Sequence, residues 1–227
     1  MLLIGMAGLA AAHGRFTDMK NALYKRILAG LLALCIAAPS YAFPLLTGIV
    51  SSANIVTSPW GVSSTFDPAA KGAGVILSGA NLTATINSTT YDAVRSTTSH
   101  ATSGKYQAEF TINTTNYVLV GIETSSSSLT NYVGSEAISY GYLPGTGRFF
   151  HAGAFTTTAT AAVGDVIGMV FDASSGTLTF YKNGISLGVA ATGITGTYFA
   201  AMSGSSSPVF PYGVTANFGA TAFAFPK

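Results

Sequence analysis

Five carboxylates in the body of the chain, Glu109, Glu123, Glu136, Asp165 and Asp172, are the side chains best suited to acid–base chemistry, and their spacing argues against it. Retaining glycoside hydrolysis needs two carboxylates about 5 Å apart. A strand supplies such a pair from positions i and i+2 or i+4, because those side chains leave on the same face. No such pair occurs. The nearest, Asp165 and Asp172, stand at the two ends of one expected strand on opposite-facing positions, and Glu109 reads as a sheet-face or loop-pairing residue. His100 and His151 lie in separate segments, with no neighbouring acid to orient either as a base. No Gly-x-Ser-x-Gly elbow occurs, and no loop gathers the three Asp or Asn oxygens of a calcium site. Asp172 and Asn183 are read as turn formers. Neither a metal nor a cofactor is expected.

Aromatic side chains are the remaining resource, since Tyr and Trp offer large, stiff contact area with a polar tip. Tyr106, Phe110, Tyr140, Phe180 and Phe218 fall on strand faces and read as core. Tyr117, Tyr132, Phe149, Phe210 and Tyr212 fall at strand ends or in loops rich in Ser, Asn, Gly and Pro, where exposure is expected. The expected ligand-binding residues are Tyr117, Asn131, Tyr132, Arg148, Phe210 and Tyr212, carried by loops 113–117, 125–132, 144–151 and 203–212 at one edge of the fold. Pro211 stiffens the last of these, and a stiff anchor loses little entropy on binding. The competing reading is that Phe149 and Phe210 plug the ends of the fold.

The elements that must position these loops are strands. Asn183-Gly184 between two apolar runs is a two-residue hairpin signal, because a type I′ turn needs φ > 0 at both central positions. It predicts Lys182 opposite Ile185, Phe180 opposite Leu187 and Leu178 opposite Val189. Residues 166–171 are apolar except at Gly168, as in a central strand covered on both faces. Elsewhere the period is two: Leu82, Ala84 and Ile86; Tyr106, Ala108, Phe110 and Ile112; Tyr198, Ala200 and Met202; Val214, Ala216 and Phe218. The run 117–122 is continuously apolar. Many short strands between Gly, Ser and Asn turns predict an all-β, two-sheet antiparallel sandwich.

Charge and the first 42 residues bound the remaining possibilities. A basic segment from Met19 to Arg26, an apolar run 27–38 and Ser40-Tyr41-Ala42 make a secretory signal pattern with cleavage expected after Ala42. The apolar run is shorter than the roughly 20 residues a spanning helix needs. Residues 1–18 precede a second start at Met19 and read as an upstream extension or part of a longer leader. The only cysteine, Cys35, lies inside the leader, so the mature chain is expected to carry no disulfide. The net positive charge also arises there, from four Lys/Arg against one Asp, leaving six Lys/Arg against seven Asp/Glu beyond it, with no basic footprint for nucleic acid. The expected organisation is a leader at 1–42, a linker and edge strand at 43–65 with Trp60 tucked against the fold, and the sandwich at 66–227.

The run from Gly164-Asp165 through the apolar strand to Phe180-Tyr181-Lys182-Asn183-Gly184 resembles the central hairpin of SPRY domains. Further pieces follow in the family's order: Phe66-Asp67-Pro68 with 75–82, Gly104-Lys105-Tyr106 through Glu109, Val120-Gly121-Ile122, Ser139-Tyr140-Gly141-Tyr142 and Asn217-Phe218-Gly219. Tyr106 and Tyr140 stand where many members carry tryptophan. The resemblance spans roughly residues 66–225 and is nearest to secreted bacterial or phage-type members. It implies a concanavalin A-like jelly-roll sandwich that recognises a protein or glycan through variable loops, without catalysis. The same superfamily contains glucanases, so a diverged glycan hydrolase is the enzyme alternative, and a structural surface or adhesin subunit is the third.

Overall fold

The computed structural model describes residues 57–87, 89–101 and 103–227. The expected leader, its expected cleavage after Ala42 and Cys35 lie outside the described residues. Fifteen strands follow in order: β1 (Ser58–Pro59), β2 (Phe66–Lys71), β3 (Val75–Ser78), β4 (Thr83–Ile86), β5 (Ala93–His100), β6 (Lys105–Ile112), β7 (Leu119–Glu123) and β8 (Ser139–Leu143). The second half holds β9 (Arg148–His151), β10 (Ala154–Thr157), β11 (Val166–Asp172), β12 (Thr177–Lys182), β13 (Ile185–Ala191), β14 (Tyr198–Ser203) and β15 (Tyr212–Asn217). No helix among the described residues is long and apolar enough to cross a membrane.

The strands form two sheets, as the alternating pattern requires. Sheet A runs β13-β12-β11-β6-β15-β4-β3, with β1 added in parallel to β6, and sheet B runs β10-β9-β8-β7-β14-β5-β2. Alternate residues of each strand face the space between them. Ala84, Ile86, Ala108, Phe110, Ile112, Met169, Phe171, Leu178, Phe180 and Val214 enter it from sheet A, and Val94, Val120, Ile122, Tyr142, Phe149, Ala200 and Met202 from sheet B. Aromatic pairs tie the layers, including Tyr142 with Phe180 and Phe149 with Phe180, each 5.5 Å between centroids. Trp60, just beyond β1, is wholly buried and donates its indole N–H to the Thr98 carbonyl at 2.9 Å.

The hairpin turn forms as its residues dictate. Asn183 and Gly184 have φ of 48° and 81°, and Lys182 pairs with Ile185. Asn183 adds two side-chain bonds: its Oδ1 accepts the Val166 N–H at 2.8 Å, and its Nδ2 donates to Asp165 at 2.7 Å. The register beyond the turn differs from expectation. Two irregularities shift it, so Phe180 faces Gly188, Thr179 faces Val189 and Leu178 faces Ala191. β13 is an edge strand with nothing beyond it in the sheet, so its register is free to slip where the inner strands are not. Val189 consequently stands opposite Thr179 instead of Leu178 and is mostly in solvent, as is Ile185, which keeps its place opposite Lys182.

β6 differs as well. Its alternate residues Gln107 and Glu109, expected on a solvated face, are buried because residues 224–227 lie across them. β11 is covered on both faces, as its continuous apolar run implies.

Candidate functional site

Sheet B carries a second, smaller apolar cluster on its outer face. Leu119, Leu143 and Ala201 point away from the main core and are covered by Val133, with Tyr132 and Phe150 packed beside them. The covering element is the long β7–β8 loop, residues 124–138. It can lie flat on the sheet because Gly141 has no side chain: a Cβ there would sit 2.1 Å from the Val133 carbonyl oxygen.

Polar groups fasten the loop. The Val133 N–H donates to Ser203 Oγ at 3.0 Å, and the Gly134 N–H to Ser139 Oγ at 2.9 Å. Arg95, buried on β5, donates through Nη1 to the Thr124 and Ser127 carbonyls, each at 3.1 Å, and pairs with Glu123 at 3.3 Å. Burial pushes the Glu123 carboxyl up to about 7 against the pull of Arg95, and the charge of Glu136 adds to the push. Glu123 and Glu136, far apart in sequence and expected to be isolated, are therefore electrostatic neighbours. Glu123 is 1% exposed, so no substrate reaches it. Glu136 is spent on the loop itself, accepting the Ser128 N–H and the Asn131 side-chain amide.

Where the loop meets strand β9 and the segments before β5 and after β14, a cleft of about 240 Å³ opens. Tyr91, Leu119, Tyr132, Leu143 and Phe150 supply its apolar lining, and Arg148, Ser205 and Ser206 its polar groups. The aromatic rings continue beyond it as a row: Tyr91 to Tyr132 at 5.3 Å, Tyr132 to Phe150 at 5.5 Å and Phe150 to Phe155 at 5.5 Å. Arg148 lies over the far end, its guanidinium carbon 4.0 Å from the Phe155 centroid. Among the described residues it has no carboxylate partner. At the other end a second depression lined by Thr90, Asp92 and Thr130 shares Tyr91 with the cleft.

Of the residues expected to bind, the structure brings Tyr132 and Arg148 together in this cleft, with Asn131 exposed beside Tyr132. Others go elsewhere. Tyr212 is wholly buried: it opens β15 facing inward, and its hydroxyl donates to the carbonyls of Ser205 and Ser207. Tyr117 packs against the main core. Phe149, expected to be exposed though not among the expected binding residues, is 7% exposed, because 148–151 is strand β9 rather than loop and Phe149 is its inward residue. Phe210 is half exposed but does not line the cleft.

Sequence reasoning missed Tyr91, Leu119, Leu143, Phe150 and Phe155. Tyr91 carried the same signal as Tyr132, an aromatic in a run of small polar residues. Leu119 and Phe150 lie in strands apolar on both faces, which already called for a cover on each side.

The remaining chemistry-bearing groups have structural partners. Glu109 accepts the backbone N–H groups of Ala224 and Phe225, each at 2.8 Å. Asp172 accepts from Ser174 and Ser175, and Asp165 pairs with Lys182 at 3.3 Å. His100 stacks on Tyr106 at 3.4 Å and His151 on Tyr140 at 4.1 Å. Among the described residues no three His, Cys, Asp or Glu come together.

Comparison with known proteins agrees with this architecture. The SPRY domain family model matches residues 105–221, more than half of the 227. No curated protein matches the chain. Among solved structures, the SPRY domain of human HERC1 is similar at 22% identity and a TM-score of 0.56, over 66% of this chain and 96% of that one. The TRIM65 PSpry domain is similar at 16% identity and a TM-score of 0.56, over 68% and 91%. Stonustoxin matches at 19% identity and a TM-score of 0.55, over 68% of this chain but 27% of its own. At these identities the structures speak for the fold, and the family match identifies the sequence. This two-sheet sandwich belongs to the SPRY domain family, whose members are typically protein-binding modules.

Proposed function

We propose that this protein is a non-catalytic binding module that engages a protein partner through the cleft on the outer face of sheet B. The observation that carries the reading is the half-exposed row Tyr91–Tyr132–Phe150–Phe155, closed at one end by Arg148, which has no carboxylate partner among the described residues. Stiff aromatic surface beside a guanidinium is the composition in which binding energy concentrates at protein interfaces. The chemistry suits a segment that presents an apolar side chain to Leu119 and Leu143 with a carboxylate within reach of Arg148. The cleft stands on strands and on a loop fastened at both ends, so little ordering entropy remains to be lost on binding. Among the described residues, Glu109, Glu123 and Asp165 are each engaged by structural partners, which favours binding over glycan hydrolysis.

The leader pattern supports export, with the partner met in the periplasm, at the cell surface or outside the cell. N-terminal sequencing of the exported chain should begin at Phe43. The binding reading is tested by affinity capture with the mature chain in parallel with a glycan array. Capture of a protein lost on Arg148→Ala supports it. Saturable glycan binding lost with the same substitution would move the ligand to a sugar, and capture insensitive to Arg148 would remove the cleft from the function.

A further inference from the structure

The outer face of sheet A carries a set of side-chain bonds to the backbone of residues 224–227. Gln107 and Glu109 lie on β6, a central strand, and are 1% and 3% exposed. Glu109 has no cation partner among the described residues. Its two oxygens instead accept consecutive backbone N–H groups, Phe225 on Oε1 and Ala224 on Oε2, both at 2.8 Å. Gln107 reads the next stretch of the same backbone from both sides of its amide: Nε2 donates to the Phe225 carbonyl and Oε1 accepts the Lys227 N–H, each at 2.8 Å. Lys227 then reaches the Gly184 carbonyl at 2.6 Å with its ammonium 4.4 Å from the Tyr181 centroid.

We propose that this surface is a peptide-binding site for an extended segment of the type Ala-Phe-Pro-Lys, and that residues 224–227 are its displaceable occupant in cis. Three features point to recognition. The site uses the N–H of residues 224, 225 and 227 and not that of 226, the position occupied by Pro226, which has none to give. The ring of Phe225 rests on Gly184, where a Cβ would come within 2.9 Å of it, so the turn leaves space for an aromatic ring at that position. The lysine meets a carbonyl and an aromatic face rather than a carboxylate, which suits a cation. The segment itself pairs with no strand, and Ala222, Ala224 and Pro226 are exposed. It is therefore held by side-chain bonds from the sheet and not by a ladder of its own. The ligand class is a non-acidic extended chain, and its site is on the sheet opposite the one that carries the cleft.

The test uses the full chain with the cis segment weakened in two independent ways, Ala224→Pro, which removes one N–H to Glu109, and Lys227→Ala. Each is titrated with a fluorescent peptide of residues 220–227, Ala-Thr-Ala-Phe-Ala-Phe-Pro-Lys. Saturable binding at least tenfold tighter than to the unmodified chain is expected. Adding Glu109→Gln should weaken that binding at least tenfold, and a peptide with proline at the position of Phe225 should not compete. Absence of binding to variants that keep the native circular dichroism, or binding indifferent to Glu109, overturns the proposal. So does loss of the fold in both variants, since the segment would then be an integral part of the sandwich.

Discussion

The guanidinium carbon of Arg148 lies over the Phe155 ring, 4.0 Å from its centroid, which holds the cation at the end of the aromatic row without neutralising it. A stacked guanidinium keeps its edge free for a planar carboxylate. Arg148→Ala should therefore weaken a captured protein partner at least tenfold, and Arg148→Lys should restore little of that, because an ammonium cannot present two parallel donors. The melting temperature should barely move, since a half-exposed side chain without an ion pair contributes little to stability. Full rescue by lysine would reduce the role of Arg148 to net charge.

Tyr132 and Tyr212 were expected to act alike, and the structure separates them. Tyr132 lines the cleft against Tyr91 and Phe150, whereas Tyr212 is wholly buried. Tyr132→Ala should cost about 2 kcal/mol or more in partner affinity with little loss of stability. Tyr212→Ala removes a core ring and leaves two carbonyls without their donor, and should cost about 3–5 kcal/mol of stability. Isothermal titration and thermal melts on both variants decide this; a stability loss on Tyr132→Ala matching that of Tyr212→Ala would place Tyr132 in the core.

Burial raises Glu123 from an ordinary 4.5 to about 7, so the folded state holds that proton more tightly than the unfolded chain. Its contribution to stability is full below the unfolded value and is lost as pH rises through about 7. His100 acts oppositely over part of the same range. Burial lowers its pKa despite the Trp60 carbonyl, so its contribution is present above the unfolded value and lost as pH falls. Asp165 is pulled down by the Ala162 N–H, Asn183 and Lys182, which together outweigh its burial, and its contribution is lost only at more acid pH. Between pH 5 and pH 8, about the interval spanned by an ordinary and a shifted carboxyl, Glu123→Gln should raise the melting temperature relative to wild type increasingly with pH. A constant difference between the two proteins across that range would show that Glu123 does not titrate there.

The two sheets were legible because strand periodicity is a local property. Ala84 and Ile86, or Ala200 and Met202, declare their face whatever they pack against. The Asn183-Gly184 turn was legible for the same reason, its conformation being set by two residues. The register of β13 was not, because it depends on irregularities in an edge strand that no second neighbour constrains. Of the site, Tyr132 and Arg148 could be found as non-periodic groups in polar surroundings. Tyr212 could not be excluded, since two residues decide whether it ends a loop or opens a strand. The cover on Gln107 and Glu109 comes from residues more than a hundred positions away, and the approach of Glu123 to Glu136 depends on how loop 124–138 folds back.

Gly141 links the sequence to the site most directly, and its substitution tests the whole arrangement. Its φ is not in the left-handed region, so alanine is acceptable to its backbone and strands accept a β-carbon readily. The obstacle is the loop above: the added carbon would sit 2.1 Å from the Val133 carbonyl oxygen, a backbone atom that cannot rotate away. Loop 124–138 must lift, withdrawing Val133 from Leu119, Leu143 and Ala201 and displacing Tyr132 from the cleft. Overpacking of this kind costs about 1–3 kcal/mol, so the sandwich should remain folded while partner binding falls. Hydrogen exchange should quicken at the amides of Val133 and Gly134, whose bonds to Ser203 and Ser139 hold the loop down, and remain slow in sheet A. Gly168→Ala in sheet A is the control, because its β-carbon would meet only ordinary contact at 3.4 Å with Tyr181, its neighbour in the same sheet. If Gly141→Ala left both exchange in the loop and partner affinity unchanged, the loop would not be what holds Tyr132 in place.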